Sequence, residues 1–120
     1  MQLRAIESLT SQAEFDQVTT QSTSVVPVVI DFQKSACKPC MQAAPLYEAL
    51  SKAYDGQAVF YKVDADASKD ALALMKAVGI RSVPTFHVWR GGKKIDSIQG
   101  AHVNEVEEVL KKELEKGNQL

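Results

Sequence analysis

The sequence has no apolar run long enough to cross a bilayer, no surplus of either charge, a single tryptophan and only two cysteines. Each shortage excludes something. The longest apolar run, Val25-Val-Pro-Val-Val-Ile30, falls far short of the ~20 residues a membrane helix needs. A net charge of -1 supplies no basic stripe for nucleic acid or for an anionic membrane surface, so neither partner is expected. Two cysteines cannot staple a small secreted scaffold, and none is needed: 120 residues with 45% apolar content suit a single domain over 1–120 with its own core. Repeats, linkers and low-complexity tracts are also missing. The N-terminus, Met1-Gln-Leu-Arg-Ala-Ile-Glu7, lacks a signal-peptide core and carries an acid early. That pattern points to the cytoplasm, although an organellar chain without its transit peptide would read the same. In a reducing compartment a close cysteine pair is more often catalytic or metal-binding than structural.

The patterning alternates strands and helices. Leu3 to Glu7 is a weak first strand. Ser11-Gln-Ala-Glu14 has the form of a capping box, with Phe15 and Val18 on the buried side of a helix to about Thr20, followed by a polar loop over Gln21 to Ser24. Val25 to Phe32 is almost wholly apolar, as a central strand covered on both faces must be, with Pro27 near its start. Cys37 to Tyr54 places Met41, Ala44, Leu46, Tyr47, Ala49 and Leu50 at helical spacing. Pro39 fits its first turn, Pro45 is expected to kink it, and Asp55-Gly56 ends it. Ala58 to Val63 is a second buried strand. A helix opens at Ser68 or Lys69 and stops at Gly79. Thr85 to Trp89 and Ile95 to Gln99 are strands joined by a hairpin at Arg90-Gly91-Gly92-Lys93. The last helix, from about Val103 to Lys116, carries Val103, Val106, Val109, Leu110 and Leu114 on one stripe, with fraying from Gly117. This order describes an α/β sandwich, parallel first and antiparallel at the end.

The cysteines lie at Cys37-Lys-Pro-Cys40, where the central strand hands over to a helix. Helix positions i and i+3 share a face, roughly 5 Å apart between Cα atoms. A disulfide needs about 4.4–6.8 Å, so the pair can close and open with little backbone movement. A thiolate at a helix N-terminus is stabilised by free N–H groups and the macrodipole, and it is the form that attacks disulfides. Lys38 adds a cation that lowers the Cys37 pKa a little further and makes the pair less reducing. A merely structural pair and half of a zinc site are the alternatives. Zinc wants four ligands, and the chain offers only His87 and His102 besides, without paired-ligand spacing.

Val-Val-Ile-Asp31-Phe, Cys37-x-Pro39-Cys40, Pro45, Tyr61-Lys62-Val-Asp64, Val83-Pro84-Thr85-Phe86, Gly92 and Gly100 occur in an order and spacing that resembles the thioredoxin family over almost the whole chain. The resemblance implies a thioredoxin fold: a central mixed five-stranded β-sheet flanked by four α-helices. It implies a protein-disulfide reductase active in electron transport and cell redox homeostasis, with Cys37 as nucleophile and Cys40 as buried resolving thiol. Asp31 would be the acid behind the pair, its pKa raised by burial, and Lys62 its lysine partner. Pro84 would be a cis-proline beside the dithiol, with the backbone of Val83 pairing with an incoming peptide. Gly100 and Ala101 would complete a shallow apolar docking surface with Ala36 and Pro39, and Lys38 would also contact substrate. The activity needs no bound metal or organic cofactor. Its partners would be disulfide-containing proteins and a thioredoxin reductase, by analogy a flavoprotein using NADPH. Monomer is the default state.

Three positions depart from the family's usual pattern: Ala36 where tryptophan is usual, Gln33 where an aromatic is common, and Lys38 between the cysteines in place of glycine. They change the docking surface and leave the dithiol intact. Two rival functions follow: an oxidant or isomerase of an oxidising compartment, and a thioredoxin-fold binding or assembly module. Trp89 reads as a packing residue on a strand away from the motif, so its fluorescence should change little on reduction. His87 and His102 read as surface or strand residues without chemistry.

Overall fold

The computed structural model describes residues 6–20 and 26–117. Its elements are β1 (Glu7–Ser8), α1 (Gln12–Thr20), β2 (Val28–Gln33), α2 (Lys38–Ala53), β3 (Val59–Asp64), α3 (Lys69–Val78), β4 (Thr85–Arg90), β5 (Lys93–Gln99) and α4 (Val103–Gly117). The five strands form one sheet in the order β1-β3-β2-β4-β5. β3 pairs in parallel with β1 and β2, while β4 is antiparallel to both β2 and β5. The apolar β2 therefore lies at the centre of the sheet, with helices over both faces.

Strand alternation divides the core in two. Val29 of β2, Phe60 of β3 and Phe86 and Val88 of β4 face α2 and α4, packing on Ala43, Tyr47, Leu50, Val106 and Leu110. Val28, Ile30 and Phe32 face the other way, against Phe15, Ala71, Leu74 and Met75 of α1 and α3.

Local signals set most element ends. The Ser11 hydroxyl accepts the Glu14 N–H at 3.1 Å, while the Glu14 carboxylate reaches back to the Thr10 N–H at 2.9 Å. Ser68 caps α3 by accepting the Ala71 N–H at 3.0 Å. Gly79 closes that helix in the left-handed region at φ 87°. Gly91 and Gly92 both take positive φ, the two-residue hairpin geometry that only glycine adopts freely.

Several expectations are corrected. Among the described residues the first strand pairs Glu7 with Tyr61 and Ser8 with Lys62; Leu3 to Ala5 lie outside the described residues, as do the Gln21–Ser24 loop and residues 118–120. β2 starts at Val28 rather than Val25, after Pro27, whose carbonyl accepts the Val59 N–H at 3.0 Å. Gly117 belongs to α4. Pro45 lies inside α2, as expected, and leaves the Met41 carbonyl without an N–H donor from that position. The apolar set of α2 is wider than its buried face: Cys40, Ala43, Tyr47 and Leu50 are buried, while Met41 and Leu46 are 67% and 56% exposed. Each sits one residue, about 100° of helical turn, from a buried neighbour.

Candidate redox site

The C-terminal end of β2 delivers Asp31 and Gln33, a turn over 34–36 follows, and Cys37 is the N-cap of α2. The turn is held by two carboxylates that sequence reasoning missed. Ser35 donates its N–H to Asp66 Oδ2 at 2.8 Å and its hydroxyl to Asp64 Oδ2 at 3.0 Å, and Asp64 Oδ1 accepts the Asp66 N–H at 2.9 Å. The signal for them was the Asp64-Ala-Asp66 pair directly after a strand, where carboxylates commonly bond to turn backbone.

Cys37 and Cys40 are joined as a disulfide, with Cα atoms 5.2 Å apart. Cys37 has extended backbone angles, φ -118° and ψ 112°, and its Sγ accepts the Cys40 N–H at 3.2 Å. That N–H is one of the donors that a helix start leaves unpaired, so it holds negative charge on Cys37 after reduction. The two residues differ in exposure: Cys37 is half-buried, whereas Cys40 is 3% exposed. Lys38 and Pro39 occupy the first turn of α2 and are exposed, as is Ala36.

The Val83–Pro84 bond is cis, as the resemblance implies. The Val83 carbonyl oxygen stands 3.8 Å from Cys37 Sγ, across 46 residues of chain. In the dithiol state a Cys37 thiol can donate to it. The Pro84 carbonyl accepts the Gly100 N–H at 2.8 Å, which ties the end of β5 to the same edge. Gly100 has φ +92°, a conformation a side chain rarely takes, and Ala101 beside it is half-buried against α2 and α4. The structure thus gathers Cys37, Val83, Pro84, Gly100 and Ala101 on one rim, with Ala36, Lys38 and Pro39 beside Cys37.

Asp31 lies on the α2 side of the sheet and is 3% exposed, and its Oδ1 has no hydrogen-bond partner among the described residues. Burial pushes its pKa up to about 7, against the pull of the Lys62 ammonium. Lys62 is its register partner on β3, half-buried, and acts on it as a nearby charge. Tyr47, also buried under α2, donates its hydroxyl to the Tyr61 carbonyl at 2.7 Å and lies 3.2 Å from that of Val29, pinning the helix across β2 and β3. Burial and the Asp31 charge raise the Tyr47 pKa well above its ordinary value, so this residue stays a neutral donor.

The other face of the sheet carries His87 and Trp89. His87 is not at the surface: it is 2% exposed and edge-on to Phe32 at 4.8 Å between ring centroids. Alternation along β4 turns it inward with Thr85. Burial, with a smaller contribution from Lys94, lowers its pKa to about 4. Trp89 packs against Phe15 at 5.8 Å, away from the dithiol as expected. His102 is exposed, with Glu105 3.8 Å away. Among the described residues no three His, Cys, Asp or Glu side chains converge to hold a metal, and no helix is long and apolar enough to cross a membrane.

Residues 6–115 match the family profile described as Thioredoxin. The chain is 36% identical over 107 residues to Thioredoxin 1 of Plasmodium falciparum, covering 89% of this chain and 96% of that one. It is 42% identical over 86 residues to a Thioredoxin H-type of Chlamydomonas reinhardtii, covering 72% and 74%. Among solved structures, the thioredoxin of Malassezia sympodialis superposes with a TM-score of 0.78 at 31% identity, over 95% of this chain and 96% of that one. With sequence, fold and a redox-spaced cysteine pair in agreement, this chain belongs to the thioredoxin family of protein-disulfide oxidoreductases.

Proposed function

We propose that the chain reduces protein disulfides with Cys37 as the attacking and Cys40 as the resolving thiol. The observation that carries this assignment is the unequal burial of the two cysteines: Cys37 half-buried, its Sγ accepting the Cys40 N–H, and Cys40 almost wholly buried. The Cys37 thiolate attacks one sulfur of a target disulfide. A Cys37–target bond forms, the target's own S–S bond breaks, and the other target sulfur leaves as a thiolate that takes up a proton. Cys40 then loses its proton and attacks Cys37 Sγ. The internal disulfide re-forms and the second target thiol is released. Two electrons pass from the dithiol to the target, and an external dithiol must return them. Asp31 is the base for Cys40. A carboxyl with a pKa of about 7, buried beneath α2, can accept a proton at working pH and return it. Lys62 limits the rise of that pKa.

The target docks on the rim of Ala36, Lys38, Pro39, Val83, Pro84, Gly100 and Ala101, with the Val83 backbone beside Cys37 available to pair with an extended peptide. We place the protein in the cytoplasm as a monomer of one thioredoxin domain over 1–120, recharged by an NADPH-dependent flavoprotein reductase. The electron-transport role follows from that cycle.

The test is reduction of a model protein disulfide driven by a dithiol reductant. Wild type should accelerate it, Cys37→Ser should be inactive, and Cys40→Ser should accumulate a mixed disulfide with the target. A Cys37→Ser variant that still traps target through Cys40 would reverse the assignment. Wild type no faster than the reductant alone would remove the reductase reading in favour of a binding module.

A further inference from the structure

We infer that Lys38 makes the docking rim select disulfides flanked by aspartate or glutamate. The inference rests on the reductase reading above, because it concerns what reaches Cys37. Lys38 is exposed, lies between the two cysteines and is the first residue of α2. Its ammonium therefore stands within side-chain reach of any peptide joined to Cys37. Two further exposed cations lie on the segments that bound Cys37: Lys34 in the turn before it, and Arg81 two residues before Val83. Among the described residues, none of the three has a carboxylate oxygen within 4.0 Å. Their charge is left for a partner to meet.

The acids near the rim are otherwise engaged. Asp64 and Asp66 accept the hydrogen bonds of Ser35, next in the chain to Lys34, and Glu105 stands beside His102. Next to Cys37, Ala36 offers only a methyl group. Charge therefore does more of the selecting here than it would beside a large aromatic ring. An acidic residue next to the attacked target cysteine pairs with Lys38, and a basic one is repelled by it.

The test uses two synthetic peptides that share one disulfide and differ only in carrying Asp-Asp or Lys-Lys beside it. kcat/KM is measured for wild type, Lys38→Gln and Lys38→Glu at low salt and in 1 M NaCl. An exposed pair is worth about 0.2–1 kcal/mol, which is roughly 1.5- to 5-fold per contact. Attraction and repulsion together should make wild type prefer the acidic peptide by about 2- to 25-fold at low salt. The preference should shrink in Lys38→Gln, invert in Lys38→Glu, and collapse at 1 M NaCl, where charges are screened beyond about 3 Å. Any effect of Lys38 on the Cys37 thiolate acts on both peptides alike and cancels in the ratio. Equal kcat/KM for the two peptides in wild type overturns the inference and leaves the reductase reading standing. A preference unchanged in Lys38→Glu overturns the role of Lys38. Reduction of neither peptide overturns both readings.

Discussion

Asp31 and His87 lie on opposite faces of the sheet and drive the pH dependence of stability in opposite directions. Burial raises Asp31 to about 7 from 3.8, so between those values the folded chain keeps a proton that the unfolded chain has released. Stability therefore falls as pH rises through that window, by about 4 kcal/mol at most. Burial lowers His87 to about 4 from 6.5, so between those values the unfolded chain binds a proton that the folded chain refuses. Stability therefore rises with pH there, by about 3 kcal/mol at most. The two slopes largely cancel between pH 4 and 6.5 in wild type. Single substitutions should unmask them. Asp31→Asn should gain on wild type by about 4 kcal/mol between pH 4 and pH 8, about 15 °C in Tm for a domain of this size. His87→Phe should lose about 3 kcal/mol against wild type over pH 4 to 7, leaving a profile that falls as pH rises. Urea unfolding of the oxidised protein at pH 4.5, 5.5, 6.5 and 7.5, followed by far-UV circular dichroism, measures both. Comparison with wild type at each pH removes the titration common to all variants. An Asp31→Asn difference that stays flat within about 0.5 kcal/mol would refute the buried carboxyl on which the proposed proton-transfer role of Asp31 also depends. Single-turnover resolution of the mixed disulfide at pH 7 gives the catalytic counterpart: Asp31→Asn should slow it by about 100-fold if Asp31 takes the proton of Cys40.

Trp89 emission should change little between the disulfide and dithiol states, because the indole packs on Phe15 across the sheet from Cys37; a large change on reduction would show that the cysteine pair reaches the far core. Arg90→Met should destabilise the protein by about 3 kcal/mol in chemical denaturation. Arg90 donates to both the carbonyl and the carboxylate of Glu113, and Glu113 is buried on α4 with Lys116 3.0 Å away as its other cation. A loss below about 0.5 kcal/mol would mean that Lys116 alone neutralises Glu113.

Local chemistry was legible in the chain wherever a few adjacent residues decide a conformation. The capping residues Ser11 and Ser68, the left-handed Gly79 and the Gly91-Gly92 hairpin all act within one turn of backbone, and they ended elements where expected. The apolar β2 announced a central strand because only a strand covered on both faces can be apolar throughout. The spacing of Cys37 and Cys40 is likewise a local fact of helix geometry. Burial along α2 and of His87 was not legible, because it depends on what packs across the sheet. Met41 and Leu46 share the apolar character of Tyr47 and Leu50, and only the placement of α2 against β2 and β4 decides which pair faces water. His87 reads as a polar strand residue until Phe32 and Trp89 close over it. At the site, the raised pKa of Asp31 and the nearness of Val83 to Cys37 were already expected; their physical basis is the position of Asp31 beneath α2 and a sheet order that brings β4 beside β2. Sequence by itself determined the redox pair and the turns around it, since those need only neighbours along the chain. Tertiary structure decided how far each cysteine and each ionisable group is buried, since that depends on groups brought together from distant parts of the chain.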